Sequence, residues 1–357
     1  MAEFYSLKVA DIYKETEDTS VVTFDIPQDL QNTFKFRQGQ HLTLKEEING
    51  EDIRRSYSLC SSPIENQWKV AVKQIPGGKF STYINQKLQA GNQIEVMAPT
   101  GNFGVEVQPK ASKNYLFFAA GSGITPVLSM IKAHLKAEPN STCKLFYVNK
   151  TAKSIIFKEE LEQLRNTYFG RLEIYYFLTK ERRDIELFNG RFDDVKMKVL
   201  TNTFIDIPDT SEVFLCGPEA MVNYVSEYLI GAGLSKDLIH YELFVTGLSE
   251  EDIKRAERLA QQNVEGIEVT IVDGGKEFAF TMTKEYDNIL DAALNAGADL
   301  PFACKGGVCS TCKCEVKEGE VEMKINYALD DKEVSQNLVL SCQAVPTTEK
   351  VVVDFDV

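Results

Sequence analysis

No stretch of the 357 residues approaches the ~20 consecutive apolar residues that a membrane-spanning helix needs. The first residues, MAEFYSLKVADIYKETED, also lack the basic start and continuous apolar run of an export signal. A cytoplasmic protein with no membrane partner is therefore expected. Basic residues are in short supply: 39 Lys and Arg stand against 53 Asp and Glu, for a formal charge of −14. No nucleic-acid partner is expected, because neutralising phosphates takes a basic face that this composition does not offer. Cysteines are sparse, eight in all, and four of them crowd one short segment. Without an export signal, that crowding points to metal ligation rather than to a disulfide framework. Internal repeats and low-complexity segments are absent as well.

What is present is an ordinary globular composition, 43% hydrophobic and 26% charged, over a length that suits two or three domains. Residues 1–107 carry short alternating runs such as HLTLKEEI, WKVAVKQI and NQIEVMAP, separated by NG, PGG and GN turns. Such texture predicts an antiparallel β-barrel. Over residues 108–245 the texture changes to strands alternating with helices: NYLFFAAG, then TPVLSMIKAHLKAE, KLFYVNK, FKEELEQLRNTY, RLEIYYFLT and EVFLCG. That rhythm predicts an α/β domain with a parallel sheet. The polar stretch over 246–263 reads as a linker, partly helical, and residues 264–357 as a third domain with β-rich ends and one helix, NILDAALNAG. From Val264 onward 18 acidic residues face 8 basic ones, a balance of −10, so most of the excess charge sits there. A partner with a basic patch is expected for that segment.

The sharpest motif is Cys304-KGGV-Cys309-ST-Cys312, with Cys342 thirty residues on. C-x4-C-x2-C…C is the plant-type spacing for a 2Fe-2S cluster. Gly306 and Gly307 let the backbone wrap closely and aim N–H groups at the sulfurs. Structural zinc, the competing metal, usually takes two C-x2-C-like pairs, and only one is here. Cys314, two residues further on, reads as a packed thiol.

Two weaker signals lie in the barrel segment. Arg55-Ser56-Tyr57-Ser58 sets a guanidinium and an aromatic ring on one face of an extended run, with hydroxyls beside them. A flavin asks for that set: a fork for its pyrophosphate, a ring to stack on the isoalloxazine and a donor to N5. Gly77-Gly78-Lys79-Phe80-Ser81-Thr82 opens a short helical run and offers N–H groups and hydroxyls to phosphate oxygens. In the α/β segment, Gly121-Ser122-Gly123-Ile124-Thr125-Pro126 follows a strand and opens a helix, where glycines allow a dinucleotide phosphate to approach the N-terminus. It departs from the G-x-G-x-x-G fingerprint. Cys216-Gly217-Pro218 ends the last strand, at the edge where parallel sheets bind ligands. After the second strand come Asn149, Lys150, Lys153 and Ser154, with no acid to take a ribose 2′-hydroxyl. NADPH is therefore expected over NADH, with NADH left open.

With these motifs in this order, the chain resembles the ferredoxin–NADP reductase superfamily carrying a C-terminal plant-type ferredoxin domain. More narrowly, FRQGQHLTL, RRSYSLC, CKGGVCSTCKCEV, NYALDDKEV, LSCQAVP and VVVDFDV resemble the reductase components of bacterial phenylacetyl-CoA epoxidases. The resemblance implies a multi-domain fold: an antiparallel FAD-binding barrel, an α/β NAD(P) domain and an α+β, β-grasp ferredoxin domain. It implies that Arg55, Ser56, Tyr57 and Ser58 hold FAD, with the Gly78–Thr82 turn on its pyrophosphate. Thr125 and Cys216 would flank the nicotinamide, with Ser58, Cys216 and Glu242 nearest the chemistry and Phe244 beside the flavin. Lys150 stands where many members have Arg, which keeps a cation for the 2′-phosphate but loses its fork. The implied activity carries hydride from NADPH to FAD, then single electrons through the cluster to the oxygenase component of a multicomponent oxygenase, in phenylacetate degradation. Another oxygenase or hydroxylase as acceptor, or a redox-sensing electron carrier with negligible turnover, are the alternatives.

Overall fold

The computed structural model describes residues 3–243 and 250–357. Two compact units are present, the first holding a barrel and a parallel sheet, the second the cysteine loop.

Six strands open the first unit: β1 (Phe4–Thr16), β2 (Thr19–Asp25), β3 (His41–Ile48), β4 (Glu51–Ser58), β5 (Trp68–Lys73) and β6 (Gln93–Thr100), with helix α1 (Lys79–Gln86) between the last two. They hydrogen-bond in the order β4-β3-β6-β1-β2-β5. An antiparallel bridge from Leu59, just past β4, to Val70 of β5 brings the two ends of that order together. Every second residue faces the interior: Leu7 and Val9, Val22 and Phe24, Leu42 and Leu44, Val70 and Val72, Ile94 and Val96 share one core. That period of two is what alternating sequences impose on a half-buried strand.

Next come β7 (Asn114–Ala120), α2 (Ile124–Ala137), β8 (Thr142–Asn149), α3 (Lys158–Thr167), β9 (Leu172–Leu178), α4 (Asp194–Thr203), β10 (Glu212–Gly217), α5 (Glu219–Gly231) and β11 (Ile239–Leu243). All five strands run parallel in the order β11-β10-β7-β8-β9. Tyr115, Leu116, Phe117 and Phe118 on β7 are all buried, since helices cover both faces of such a sheet. The C-terminal end of α2 is fixed by a polar cluster in which Glu138, His134 and Tyr115 are each 0% exposed. Glu138 accepts from the Gln108 N–H at 2.8 Å, from His134 Nδ1 at 3.0 Å and from the Tyr115 hydroxyl at 2.9 Å. A carboxylate only accepts, so Nδ1 carries the histidine proton.

Barrel and parallel sheet are locked together by α2. Ser129 Oγ donates to the Ser61 carbonyl at 2.6 Å, both residues fully buried. Lys132 Nζ reaches Glu65 of the barrel loop at 3.0 Å and Glu160 of α3 at 2.9 Å. The Phe157 N–H donates to Glu15 of β1 at 2.8 Å.

The second unit contains α6 (Glu250–Ala260), β12 (Glu268–Asp273), β13 (Lys276–Thr281), α7 (Ile289–Asn295), β14 (Lys313–Glu318), β15 (Val321–Met323), α8 (Asp331–Ser335), β16 (Leu338–Leu340), β17 (Ala344–Pro346) and β18 (Lys350–Asp354). Its main sheet runs β13-β12-β18-β14-β16, with β12 and β18 parallel and the other pairs antiparallel. Ile289, Leu290 and Ala293 of α7 join Val269, Ile271, Val351 and Val353 in one core with Cys312, Cys314 and Cys342. The stretch read as a linker is, from residue 250, largely this unit's own α6. Leu259 is buried in the same core, Asp252 accepts from the Tyr327 hydroxyl, Arg258 pairs with Glu322, and Gln262 Nε2 donates to the Pro346 carbonyl at 2.9 Å. A charged helix needs few apolar anchors when polar side chains supply the rest of the contact. Residues 246–249 lie outside the described residues.

Candidate electron-transfer site

The strand order of the parallel sheet reverses between β7 and β10. Ligands of open α/β sheets bind at such switch points, outside the carboxyl ends of the strands. Gly121–Gly123 leaves β7 there as a short 3-10 turn leading into α2, and Cys216, Gly217 and Pro218 leave β10 beside it. A Cβ on Gly123 would lie 2.2 Å from the Cys216 carbonyl oxygen, so only glycine permits the two loops to pass this closely. Neither the 3-10 turn nor the first turn of α2 has a side-chain cap or an acidic residue. The Ile124 N–H is taken by the Gly121 and Ser122 carbonyls, so an anion here would meet the N–H groups of the Gly121–Gly123 turn itself. Thr125 is buried and its hydroxyl donates to the Ser122 carbonyl at 3.0 Å; Pro126, also buried, needs no partner for the N–H it lacks. These features fit a dinucleotide phosphate.

On the barrel, Arg55 is exposed, Ser56 and Tyr57 are half-buried, and Ser58 is buried. The Tyr57 ring lies 6.0 Å from Phe80, whose side chain belongs to the barrel core. Gly78 is the N-cap of α1, again with no side-chain cap bond. Ser81 Oγ turns inward, accepting from the Ile75 N–H at 3.1 Å, and Thr82 accepts from Gln74 at 3.5 Å. Lys79 is exposed and pairs with Glu51 at 2.6 Å. Phe80 and Ser81 thus have backbone N–H groups, not side chains, to offer a phosphate. An aromatic ring, an exposed guanidinium and an uncapped helix start suit a flavin with its pyrophosphate.

Beyond the locks made by α2 and the Phe157 N–H, barrel and sheet meet at a further polar contact that no local motif announces. Ser58 Oγ donates to Glu242 Oε2 at 3.0 Å, across 184 positions of sequence. Glu242 on β11 is in register with Cys216 on β10. Cys216 is fully buried, and burial first, then the Glu242 carboxylate, pushes its thiol well above the ordinary value. It is a neutral thiol, suited to packing against a ring rather than to proton transfer. Phe244 lies outside the described residues.

Past the carboxyl end of β8, which lies between β7 and β9, Lys150 and Lys153 are exposed in the following turn, while Ser154 is tied into that turn with Thr151. Sequence reading missed the loop after β9. The Lys180 N–H donates to the Lys150 carbonyl at 2.8 Å, which brings Lys180 beside Lys150. Glu181 comes with it, but its carboxylate accepts from the Ala152 N–H at 2.8 Å.

In the second unit the four motif cysteines come together as two pairs. Cys309 bonds to the Cys304 thiol and, with burial, holds it far above the ordinary thiol value. Cys342 does the same to Cys312, again with burial, and is itself held below the ordinary value, first by that bond. Cys304 is the least buried of the four. The Gly306 N–H donates to Cys304 Sγ at 3.3 Å and Gln343 Nε2 to Cys342 Sγ at 3.5 Å. Four thiols in two pairs, with N–H groups on their sulfurs, are the donor set that a 2Fe-2S group requires. Cys314 is fully buried, with its thiol pushed up by burial.

Comparison with known proteins agrees with this geometry. The sequence matches the families described as oxidoreductase FAD-binding domain over residues 6–104, oxidoreductase NAD-binding domain over 117–227, and 2Fe-2S iron-sulfur cluster binding domain over 271–347. It is 42% identical to one subunit of the 1,2-phenylacetyl-CoA epoxidase of Escherichia coli (strain K12), over 100% of this chain and 99% of that protein. It is 31% identical to the ferredoxin reductase component of 3-ketosteroid-9-alpha-monooxygenase from Rhodococcus rhodochrous, over 98% of this chain and 96% of that one. Among solved structures, phthalate dioxygenase reductase shares the fold, with a TM-score of 0.60 and 24% identity over 99% of this chain and 98% of that one. Among the described residues, no helix is long and apolar enough to cross a membrane.

Proposed function

The chain belongs to the family of NAD(P)H-dependent reductases that join FAD-binding, NAD-binding and 2Fe-2S domains to serve oxygenases, and from that premise we propose that it is the reductase of a phenylacetyl-CoA epoxidase. The observation that carries the reading is one chain holding an uncapped switch-point crevice, an R-x-Y-S strand joined to it through Ser58 and Glu242, and four paired thiols. When bound, FAD accepts hydride from the nicotinamide and gives up its electrons singly, and the 2Fe-2S cluster carries them one at a time.

The chain's own residues position these groups. The Gly121–Gly123 turn before α2 takes the dinucleotide pyrophosphate, its glycines clearing the approach. Tyr57 stacks on the flavin, Arg55 and the α1 N-terminus hold its phosphates, and Ser58 stays oriented by Glu242. Burial keeps Cys216 neutral, so it shapes the nicotinamide face without exchanging protons. Lys150, Lys153 and Lys180 give the 2′-phosphate of NADPH a cationic edge, while the Glu181 carboxylate is engaged by backbone. Cys304, Cys309, Cys312 and Cys342 ligate the cluster. Residues 1–107, 108–245 and 264–357 form the three functional domains, with α6 as the brace of the third.

Absorption spectra taken before and after anaerobic NADPH test the carriers: flavin bands over broad iron–sulfur absorption, both bleaching, are expected. Reconstituted turnover with the oxygenase components of a phenylacetyl-CoA epoxidase tests the partner. Turnover only with a steroid or other monooxygenase would assign the chain to that system instead, a reading that the 31% identity to a ketosteroid monooxygenase reductase favours.

A further inference from the structure

Gln343, next to the ligand Cys342, is 4% exposed, and its side chain reaches from Cys342 to the backbone of the 304–312 loop. Nε2 donates to the Lys305 carbonyl at 3.0 Å and to Cys342 Sγ at 3.5 Å. A primary amide has two N–H groups, and both are used here. The two contacts belong to different halves of the ligand set, because Lys305 follows Cys304 whereas Cys342 pairs with Cys312. Lys305 has a left-handed backbone at φ 52°, uncommon for a residue with a side chain, so its carbonyl needs a fixed partner. Gly307, at φ 75°, passes so close that a Cβ on it would lie 3.3 Å from Gln343 Cγ and 3.0 Å from the Ile325 carbonyl oxygen. The side chain is thus held along its whole length.

We propose that the Gln343 carboxamide is a positioning residue that sets the cluster's reduction potential, by fixing the Lys305 turn and placing an N–H dipole on the Cys342 sulfur. Reduction adds one negative charge, shared by the ligating sulfurs, and an N–H pointed at a sulfur stabilises that charge in a dry site. Removing the donor makes the cluster harder to reduce. The inference rests on the ligand assignment made under the proposed function. Iron content and the visible spectrum of the unaltered protein test that assignment separately.

The experiment is a potentiometric titration of the full-length holoprotein, followed by the electron paramagnetic resonance of the reduced cluster, for the unaltered chain, Gln343→Leu, Gln343→Glu and Gln343→Met. All three variants should titrate at a more negative potential with unchanged flavin behaviour. Gln343→Glu keeps the shape and exchanges the donor for a carboxylate, whose charge adds to the shift. Gln343→Met keeps the length and removes the donor without adding charge, so it reads the potential where the leucine variant fails to load iron. An unchanged potential in any cluster-loaded variant overturns the proposal. Equal loss of the cluster from all three would assign Gln343 to folding alone and overturn it as well.

Discussion

Replacing Glu138 by alanine strips the acceptor from two buried donors, the Tyr115 hydroxyl and His134 Nδ1, and from the N–H of the exposed Gln108. A buried polar group left without a partner costs about 1–3 kcal/mol. Such costs do not simply add, because the tyrosine hydroxyl can rotate, the imidazole can exchange its tautomer, and a water can enter the space vacated. A loss of about 2–4 kcal/mol is expected, chiefly from the two buried donors, a large part of the ~5–15 kcal/mol that holds a typical domain folded. Glu138→Gln keeps the volume but sets an amide N–H against one of the donors, and should lose about half as much. The assay is urea unfolding of the first unit, followed by Trp68 fluorescence and far-ultraviolet circular dichroism. Glu138 caps the end of α2 remote from the crevice, so the folded fraction should bind FAD and NADPH normally. A loss below about 1 kcal/mol in Glu138→Ala would refute the reasoning, since it would mean that the buried tyrosine and histidine donors find other acceptors without strain.

The same cluster makes stability depend on pH. Burial holds the His134 pKa below its ordinary 6.5, and its Nε2 is buried without a hydrogen-bond partner. The unfolded chain therefore binds the proton more readily, so this contribution is complete above about pH 6.5 and falls as the pH drops below it, by at most ~1.4 kcal/mol per pH unit. Urea midpoints measured from pH 7.5 to 5 should show that slope, and His134→Gln should flatten it. Tyr57→Ala should weaken FAD about tenfold, the loss of roughly 1.4 kcal/mol of stacking, as read by flavin fluorescence on dilution. Cys309→Ala should leave flavin reduction by NADPH at its normal stopped-flow rate while abolishing delivery to the oxygenase; normal oxygenase turnover would break the proposed order of carriers. Lys150→Ala should raise KM for NADPH about tenfold or more with little change for NADH, as expected for a charge-assisted contact to the 2′-phosphate.

Much of this protein is legible in its sequence wherever the determining interactions are local. The 2Fe-2S domain reads directly, because three of the four motif cysteines lie within nine residues and their spacing is itself the signal. The sheet textures read well too, since Leu42 and Leu44 or Val70 and Val72 show their period without help from partners. The contacts that join distant segments do not. The resemblance sets Ser58 and Glu242 near the same chemistry, but nothing in RRSYS or HYELF themselves announces their bond, and nothing in TKERR places Lys180 beside Lys150, because strand register and order decide both. The segment from Glu250 was misleading for a different reason. Its charge density resembles that of a solvated tether, while one buried leucine and a few side-chain bonds are enough to fix it as α6.

The locks that α2 forms with the barrel bear on how such reductases can be recombined. Ser61 and Glu65 lie before residue 107 in the chain, and their partners Ser129 and Lys132 lie after it, Lys132 also pairing with Glu160. A chimera cut at that textural boundary would strand Lys132, largely buried, without one of its two carboxylates and leave the Ser61 carbonyl facing a foreign helix. The interchangeable part is therefore the pair of lobes together, or a nicotinamide lobe transplanted along with the Ser61–Glu65 loop and Glu15. Coenzyme preference is better altered in place, at Lys150, Lys153 and the loop carrying Lys180, where no such lock is disturbed.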